Sequence, residues 1–323
     1  MEGLLSLAAK AALKAGGAIM EVYSQDDMGV ENKADNSPVT VADLRADAVI
    51  ASVLEISGLP LLSEEGRNIP FGERKAWDRF WLVDPLDGTK EFISRNGEFT
   101  VNIALVEGQT PVAGVIYAPV SDVLYGGIAG RGAWRLDAAS GNPEDAGLEA
   151  AGESAEKKNV NCGDGAAGHH DPVGGHARDD AEFHGAALPE GAVTLPCIGK
   201  KGYGIVASRS FLDDRTGAFV DGFCRKFEGA RIVTRGSSLK LCMLASGEAD
   251  IYPRFSNISE WDTAAGHAIV VASGGFVVQA LRTDMPLLYN KRDSLNPWFI
   301  ACRSRELLEA VSDMIPKESA AGR

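Results

Sequence analysis

Helical spacing of apolar residues marks the start of the chain. Residues 3–24 carry apolar side chains three and four positions apart, interrupted by Lys10 and Lys14, and residues 40–57 show a similar pattern. Apolar residues at this spacing form one face of an α-helix. The sequence therefore predicts two leading helices, of which the first is amphipathic.

Short apolar segments bounded by turn residues follow. They read LPLLSEEG, WLVDPLDG, FTVNIALVEG, PVAGVIYAPV and VLYGGIAGRGAWRL. Apolar runs of this length between Gly, Pro and acidic residues are typical of buried strands. We expect the first half of the chain to be strand-rich.

Residues 138–196 separate two halves in this predicted organisation. The range is rich in Gly, Ala, acids and His and poor in aromatic and branched residues, so it cannot bury enough apolar surface to form a domain. We interpret most of it as a mobile insertion or linker between an N-terminal half at 1–137 and a C-terminal half at 197–323. Strand and helix patterns alternate in the C-terminal half, which predicts a layered α/β unit.

Charge and cysteine content restrict the partners and the compartment. The net charge is −13, and such a chain has no surplus of cations to displace the counterions of a nucleic-acid duplex. The five Cys never form a CxxC, which indicates free thiols in a reducing compartment. Because no uninterrupted apolar run reaches membrane-spanning length, we expect a cytoplasmic protein without an integral membrane segment.

Carboxylates recur where predicted strands end or helices begin. Glu64 follows the LLS run, Asp84 and Asp87 follow WLV, and Asp262 opens the helix WDTAAGHA. A single DxxDG is more often a turn, and a lone Asp at a helix start is more often a cap. Three acidic groups at element ends favour instead a site for Mg²⁺ or Mn²⁺, with the Leu86 carbonyl as a further ligand.

Asp43 admits two interpretations. Thr40 and Asp43 have the spacing of a capping box at the start of the second helix. Alternatively, Asp43 pairs with the hydroxyl of Thr89, and the pair accepts a proton from a metal-bound water. The spacing allows both.

Histidine is nearly absent from the predicted folded elements, which leaves little material for a His-based nucleophile or a His-rich zinc site. Four of the five His lie in 138–196, and His267 lies in an apolar helix where packing is the simpler explanation.

GSSLK (236–240) places two hydroxyls and a Lys at a strand-to-helix junction that could hold an anion, and Arg254 could hold a second. A helix cap and a surface charge are the alternatives for these two features.

The motifs together resemble the inositol monophosphatase superfamily of Mg²⁺-dependent, lithium-sensitive phosphatases. WLVDPLDGTKEFI and WDTAAGHA are similar to its paired signature, and KADNSPVTVAD, GSSLKLC and ADIYPRF are similar to its bacterial 3′(2′),5′-bisphosphate nucleotidase branch. The resemblance covers nearly everything outside 138–196. It implies a mixed α/β fold, the αβαβα layered sandwich of the inositol monophosphatase and sugar phosphatase type, with the active site between the two halves.

The resemblance also implies roles for individual residues. The implied metal ligands are Glu64, Asp84, the Leu86 carbonyl, Asp87 and Asp262, with Asp84 bridging two ions. The implied catalytic pair is Asp43 and Thr89. The implied substrate contacts are the Gly88 and Thr89 amides for the phosphate that is hydrolysed, and Ser237, Ser238, Lys240 and Arg254 for the nucleotide and its other phosphate.

The function that the resemblance implies is removal of the 3′-phosphate of adenosine 3′,5′-bisphosphate, which yields AMP and phosphate, during sulfur assimilation. Two or more Mg²⁺ per site are implied, with Mn²⁺ as a substitute and a small-molecule nucleotide as partner. Bacterial members can also associate with the cytoplasmic face of the inner membrane. Two alternatives stay open: a phosphatase of inositol or sugar monophosphates, which would not need Lys240 and Arg254, and an inactive nucleotide-binding sensor.

Overall fold

The computed structural model describes residues 1–32, 38–137, 188–196, 202–208 and 213–317. The helices of these residues are α1 (Glu2–Tyr23), α2 (Val41–Leu54), α3 (Phe71–Arg74), α4 (Thr89–Ile93), α5 (Asp214–Lys226), α6 (Leu239–Ser246), α7 (Trp261–Ala272) and α8 (Arg305–Ala310), with 3₁₀ turns at Glu55–Ser57 and Ser312–Met314. The strands are β1 (Glu31–Asn32), β2 (Pro38–Val39), β3 (Leu61–Ser63), β4 (Arg79–Asp87), β5 (Thr100–Glu107), β6 (Thr110–Ala118), β7 (Val123–Ile128), β8 (Gly132–Asp137), β9 (Val193–Leu195), β10 (Gly204–Ser208), β11 (Arg231–Arg235), β12 (Ile251–Arg254), β13 (Ile258–Ser259), β14 (Phe276–Gln279), β15 (Arg282–Pro286), β16 (Leu295–Asn296) and β17 (Phe299–Cys302).

Two large mixed sheets organise these elements. The first has the order β3-β4-β5-β6-β7-β8-β9, in which β3 and β4 are parallel and the other neighbours antiparallel. The second has the order β11-β10-β12-β17-β14-β15, and β10 runs parallel to both β11 and β12. The pairs β1-β2 and β13-β16 form separate two-stranded ribbons.

The side chains of β4 alternate between two cores, which explains its continuous apolar run. Trp81 and Val83 belong to the core that α1 and α2 complete, whereas Phe80 and Leu82 belong to the core that contains α6 and α7. Successive residues of a strand point to opposite faces, so a strand covered on both sides is apolar throughout.

Helices and sheets alternate in five layers. α1 and α2 cover the outer face of the first sheet, α6 and α7 lie between the sheets, and α5 and α8 cover the outer face of the second sheet. The predicted αβαβα sandwich is therefore confirmed, and α1 and α2 are the two leading helices that the apolar spacing predicts.

α1 is the one helix of the described residues with the length and hydropathy of a membrane span. Its Ala-rich face is buried against the first sheet. A Cβ atom at Gly16 would lie 2.2 Å from the ring of Tyr117 on β6, so the helix approaches the sheet as closely as glycine allows. This burial is typical of a core helix, and the expected association with a membrane face finds no support among the described residues.

The end of the predicted insertion joins the first sheet. Residues 138–187 lie outside the described residues. Val193–Leu195 forms β9, which pairs antiparallel with β8, and Leu195 is buried. The last residues of the range 138–196 are thus an edge strand of the first sheet.

Candidate functional site

Glu64 and Asp84 come together because β3 and β4 are parallel. Ser63 pairs with Val83, so the next residue of each strand emerges at the same edge of the sheet. The Glu64 amide donates to the Val83 carbonyl at 3.1 Å and fixes this junction. Asp262 reaches the same place from the first turn of α7, and ligand oxygens of the three carboxylates lie within 4.8 Å of one another.

This trio of carboxylates carries strong mutual repulsion in a poorly hydrated setting. Burial raises the pKa of Asp84 and of Asp262 well above the usual range, and the charges of the neighbouring carboxylates, Asp87 and Glu64 among them, raise both pKa values further. Protonation or a bound cation relieves the repulsion within such a cluster. Because clustered carboxylate oxygens are the donors that Mg²⁺ and Mn²⁺ prefer, the residues present fit a divalent cation.

A bulge in β4 turns Asp84 and Asp87 to the same side. Asp84 pairs with Asn102 and Asp87 pairs with Thr100, so three steps along β4 match two steps along β5. Residues three apart in a regular strand face opposite ways, and one extra residue brings them to the same face. The DPLD segment therefore aims two carboxylates at one site.

Asp87 and Leu86 complete this turn beside the trio. Burial raises the pKa of Asp87 to about 6, while the positive charge of Lys240 and the hydrogen bond that Asn102 Nδ2 donates at 3.2 Å act in the opposite direction. The Leu86 amide donates to Oδ1 of Asp84 at 3.1 Å, so the turn is tied to the carboxylate that it carries.

Asp43 makes the contacts expected from both interpretations of its spacing. The backbone amide and the hydroxyl of Thr40 both donate to Oδ2 of Asp43, at 2.7 and 2.6 Å, and form a capping box on α2. The hydroxyl of Thr89 donates to the other oxygen, Oδ1, at 3.2 Å. Burial raises the pKa of Asp43, and the hydrogen bonds from Thr40 oppose that shift. One carboxylate thus caps a helix and contacts Thr89.

Gly88 precedes α4 in a backbone conformation that favours glycine. Its φ is 95°, and a Cβ there would lie 3.2 Å from the Glu98 carbonyl and 3.3 Å from the Cβ of Ser237. A side chain at this position would therefore strain the backbone and press the two halves apart. Glycine allows the turn that brings Thr89 next to Asp43.

A chain of hydroxyl and amide groups links Asp87 to the second half. Asn102 donates to Asp87 and accepts from the Ser238 hydroxyl at 2.7 Å. The Thr100 hydroxyl lies 2.8 Å from Ser238 Oγ and 3.2 Å from Ser237 Oγ. Ser238 is buried, and its hydroxyl is engaged with residues of the first sheet.

Lys240 and Arg254 bring positive charge to the acidic site from the second half. Lys240 is buried, donates to the Ser237 carbonyl at 2.5 Å and lies over the ring of Tyr252. Burial dominates the raised pKa of Asp262, and the charges of Arg254 and Lys240 lower it in part. Two positively charged side chains therefore lie near the carboxylates, in a chain whose net charge is −13.

Sequence reasoning misses two polar residues of this site. Thr100 and Asn102 lie within the apolar strand TVNIALVE, and both side chains are buried. Buried polar side chains need partners, so two polar residues in such a strand are themselves a signal. Their partners, Asp87 and Ser238, lie on different elements and are visible only in the fold.

Comparison with known proteins assigns the fold and the site to one family. The sequence model described as the inositol monophosphatase family matches residues 1–171 and 206–315. The chain belongs to the inositol monophosphatase family. The match to this family includes every residue of the site described above, from Asp43 to Asp262.

Relatives within the family are similar over nearly the whole chain. The 3′(2′),5′-bisphosphate nucleotidase CysQ of Escherichia coli K12 is 38% identical over 301 residues, which cover 92% of this chain and 98% of the relative. The enzyme of the same name from Haemophilus influenzae is 30% identical over 303 residues, 93% of this chain and 92% of the relative.

Solved structures of the family have the same fold. The crystal structure of CysQ from Bacteroides thetaiotaomicron matches with a TM-score of 0.72 and 38% identity, and the match covers 93% of this chain and 97% of that chain. An inositol monophosphatase from Thermotoga maritima matches with a TM-score of 0.62 at 22% identity, over 95% of this chain and 94% of that chain. The second likeness supports the fold alone.

Proposed function

We propose that this chain is a divalent-cation-dependent 3′(2′),5′-bisphosphate nucleotidase that converts adenosine 3′,5′-bisphosphate to AMP and phosphate. The observation that carries the proposal is 38% identity to CysQ enzymes over 92% of this chain and 98% of theirs. The acidic trio and the Thr89–Asp43 contact supply the chemistry that such an enzyme needs. A role in sulfur assimilation, in clearing this nucleotide, belongs to the same proposal.

Cation binding would fall to the carboxylates at the ends of β3 and β4 and at the start of α7. The proposed ligands are Glu64, Asp84, the Leu86 carbonyl, Asp87 and Asp262, holding two or more Mg²⁺, with Mn²⁺ as a substitute. A bound divalent cation lowers the pKa of water and stabilises the charge that develops on phosphate oxygens. The raised pKa values of Asp84 and Asp262 support this assignment, since they mark closely spaced, buried carboxylates whose charged form a bound cation would stabilise.

Proton removal would fall to Thr89 and Asp43. The Thr89 hydroxyl donates to Asp43, so its oxygen lone pairs are directed away from the carboxylate and are available to a water on the cation side. Asp43 is buried, and its raised pKa brings a carboxylate closer to the range of an effective general base. As the water loses its proton to Thr89, the Thr89 proton passes to Oδ1 of Asp43.

Substrate selection would use the positive groups of the second half. We assign the Gly88 and Thr89 amides to the phosphate that leaves, and Ser237, Ser238, Lys240 and Arg254 to the nucleotide and its remaining phosphate. Charged hydrogen bonds to phosphate are strong in a partly buried site. The positive charges of Lys240 and Arg254 would attract a substrate with two phosphates to a site next to a cluster of carboxylates.

The test of the proposal is phosphate release from adenosine 3′,5′-bisphosphate by the purified chain, with Mg²⁺ and with EDTA. Asp87→Asn is the control for a contaminating phosphatase, because it removes one proposed ligand charge at nearly constant volume. We expect release that requires Mg²⁺ and is lost in the variant. Tight nucleotide binding without release would favour the inactive sensor and would contradict the proposal.

A further inference from the structure

A buried hydrogen-bond network lies behind Asp262 and is independent of the contacts described so far. Glu260 and Thr263 stand two positions before and one position after Asp262, and both side chains are buried. Neither side chain belongs to the proposed set of cation ligands. Both are held by the segment that runs from Tyr289 to Asn296.

Glu260 is the N-cap residue of α7, but its carboxylate makes no capping hydrogen bond. The carboxylate is fully buried and accepts the backbone amides of Asn290, at 2.8 Å, and of Lys291, at 3.0 Å. The ammonium group of Lys291 forms an ion pair with it. The Glu260 amide donates to the Ser294 carbonyl at 2.9 Å, so the start of α7 is fastened to this segment in both directions.

Lys291 links Glu260 to Thr263 through Asn296. Its ammonium group also donates to the Leu288 carbonyl at 2.5 Å and to Asn296 Oδ1 at 2.8 Å, so all three of its N–H bonds are used. Asn296 Nδ2 donates to the Thr263 hydroxyl at 2.6 Å. The hydroxyl of Tyr289 lies 3.2 Å from Thr263 Oγ1 and 3.0 Å from Nδ1 of His267.

Arg74 ties the same segment to the first half. It ends α3, which lies in the connection between β3 and β4, the strands that deliver Glu64 and Asp84. Its guanidinium donates to Asn290 Oδ1 at 2.7 Å, and Asn290 Nδ2 donates back to the Arg74 carbonyl at 2.8 Å. Further bonds reach the Arg292 carbonyl and the Ser294 hydroxyl. Arg74 is buried, and its two hydrogen bonds with Asn290 are shielded from water.

The network fixes the position of the first turn of α7, which carries Asp262, relative to the connection between β3 and β4, which delivers Glu64 and Asp84. A buried ion pair by itself contributes little to stability, and its best-attested effect is to fix one geometry. Hydrogen bonds around a ligand residue commonly set metal affinity in this way.

We infer that Glu260, with Arg74, Lys291 and Asn296, is a positioning group that holds Asp262 at ligand distance from Glu64 and Asp84 before the cation binds. The inference rests on the cation-binding part of the proposed function and is independent of the substrate. Its direct readout is therefore cation affinity, measured without nucleotide.

The experiment is calorimetric titration of the metal-free full-length chain with Mn²⁺, alongside the melting temperature. Glu260→Gln keeps the volume and loses the charge. Asp250→Asn is the matched control, since Asp250 also accepts a backbone amide, that of Gly204 at 2.7 Å, and pairs with Arg303, but away from the carboxylates. We expect Mn²⁺ affinity to fall about 10- to 100-fold in Glu260→Gln and to stay within about twofold of wild type in Asp250→Asn.

Kinetics provide a second readout. The Mg²⁺ concentration for half-maximal phosphate release should rise in Glu260→Gln by a similar factor, with kcat at saturating Mg²⁺ within about threefold of wild type, because Glu260 is not among the proposed cation ligands or substrate contacts. Arg74→Met removes the guanidinium that binds Asn290 and leaves Asn290 itself, whose φ of 60° disfavours Ala, in place, so the backbone amide that Glu260 accepts remains. This variant decides the matter if Glu260→Gln does not fold.

Unchanged Mn²⁺ affinity in the variants, together with a lowered melting temperature, would overturn the inference and leave the network a structural one. Absence of Mn²⁺ binding by the wild-type chain would overturn it as well. Mn²⁺ binding by a wild-type chain that releases no phosphate from the nucleotide would contradict the proposed function and leave the positioning role standing.

Discussion

The hydroxyl of Thr89 lies 3.2 Å from Oδ1 of Asp43. Oδ2 of the same carboxylate is occupied by the amide and the hydroxyl of Thr40, the cap of α2. The capping box therefore orients Asp43 and leaves one of its oxygens for Thr89. Local helix chemistry and the proposed proton transfer share a single side chain.

The Thr89 hydroxyl is the first group to test. Thr89→Val keeps the shape and removes the hydroxyl, so we expect kcat for the bisphosphate nucleotide to fall about 10²- to 10⁴-fold, since the path for the proton is lost. Thr89→Ser should stay within about tenfold of wild type because it restores the oxygen. Equal losses in the two variants would show that the methyl group matters and the hydroxyl does not.

Thr40 should affect the pH dependence of the reaction as well as stability. Thr40→Val removes a cap, which costs about 1 kcal/mol of unfolding free energy. It also removes a donor that lowers the pKa of Asp43, so this pKa should rise. Because a general base acts ionised, the acid limb of the pH–kcat profile should move to higher pH.

Asp213→Ala is the control for Thr40→Val. Asp213 caps α5 by accepting the Thr216 amide at 2.7 Å, on the opposite side of the second sheet from the site. Its loss should cost a similar free energy of unfolding and leave the pH–kcat profile in place. A shift of the profile in both variants would assign it to stability and not to Asp43.

Arg254 and Lys240 should determine preference for a substrate with two phosphates. In Arg254→Met and Lys240→Met, loss of a charged hydrogen bond should raise the KM for adenosine 3′,5′-bisphosphate about tenfold or more. For a monophosphate such as inositol 1-phosphate, kcat/KM should change by less than about threefold in Arg254→Met. Arg131→Met, which removes an exposed ion pair with Glu2, is the matched control.

Cation binding should strengthen as pH rises. The raised pKa values of Asp84 and Asp262 and the value of about 6 for Asp87 mean that protons compete with the cation in the acid range. Binding must displace those protons, so the increase in melting temperature caused by Mg²⁺ should grow between about pH 5 and pH 8. An increase that is largest at acid pH would contradict the assignment of these carboxylates.

Much of this architecture could be predicted from the sequence because its signals are local. Continuous apolar runs that end in acids predict buried strands with carboxylates at one sheet edge, and the register of β3 with β4 brings Glu64 next to Asp84 as that pattern implies. Helical spacing also predicts α1 and α2. Such features depend on residues only a few positions apart.

Other features depend on residues that are distant in sequence. The bulge that turns Asp84 and Asp87 to one side arises from the register with Asn102 and Thr100. The spacing of apolar residues along the chain does not reveal this register. Arg74 and Asn290 are far apart along the chain and meet only after the halves have packed. The sequence does not predict β9, because its three residues follow a long segment of different composition.

The most direct test of the central claim is a comparison of products and rates with one preparation of enzyme. Adenosine 3′,5′-bisphosphate and inositol 1-phosphate would be supplied separately with Mg²⁺, and the nucleotide product would be separated by ion-exchange chromatography. We predict that AMP accumulates, that adenosine 3′-phosphate does not, and that kcat/KM is higher for the nucleotide than for the inositol ester. Accumulation of adenosine 3′-phosphate, or a higher kcat/KM for the inositol ester, would contradict the assignment as a 3′-nucleotidase.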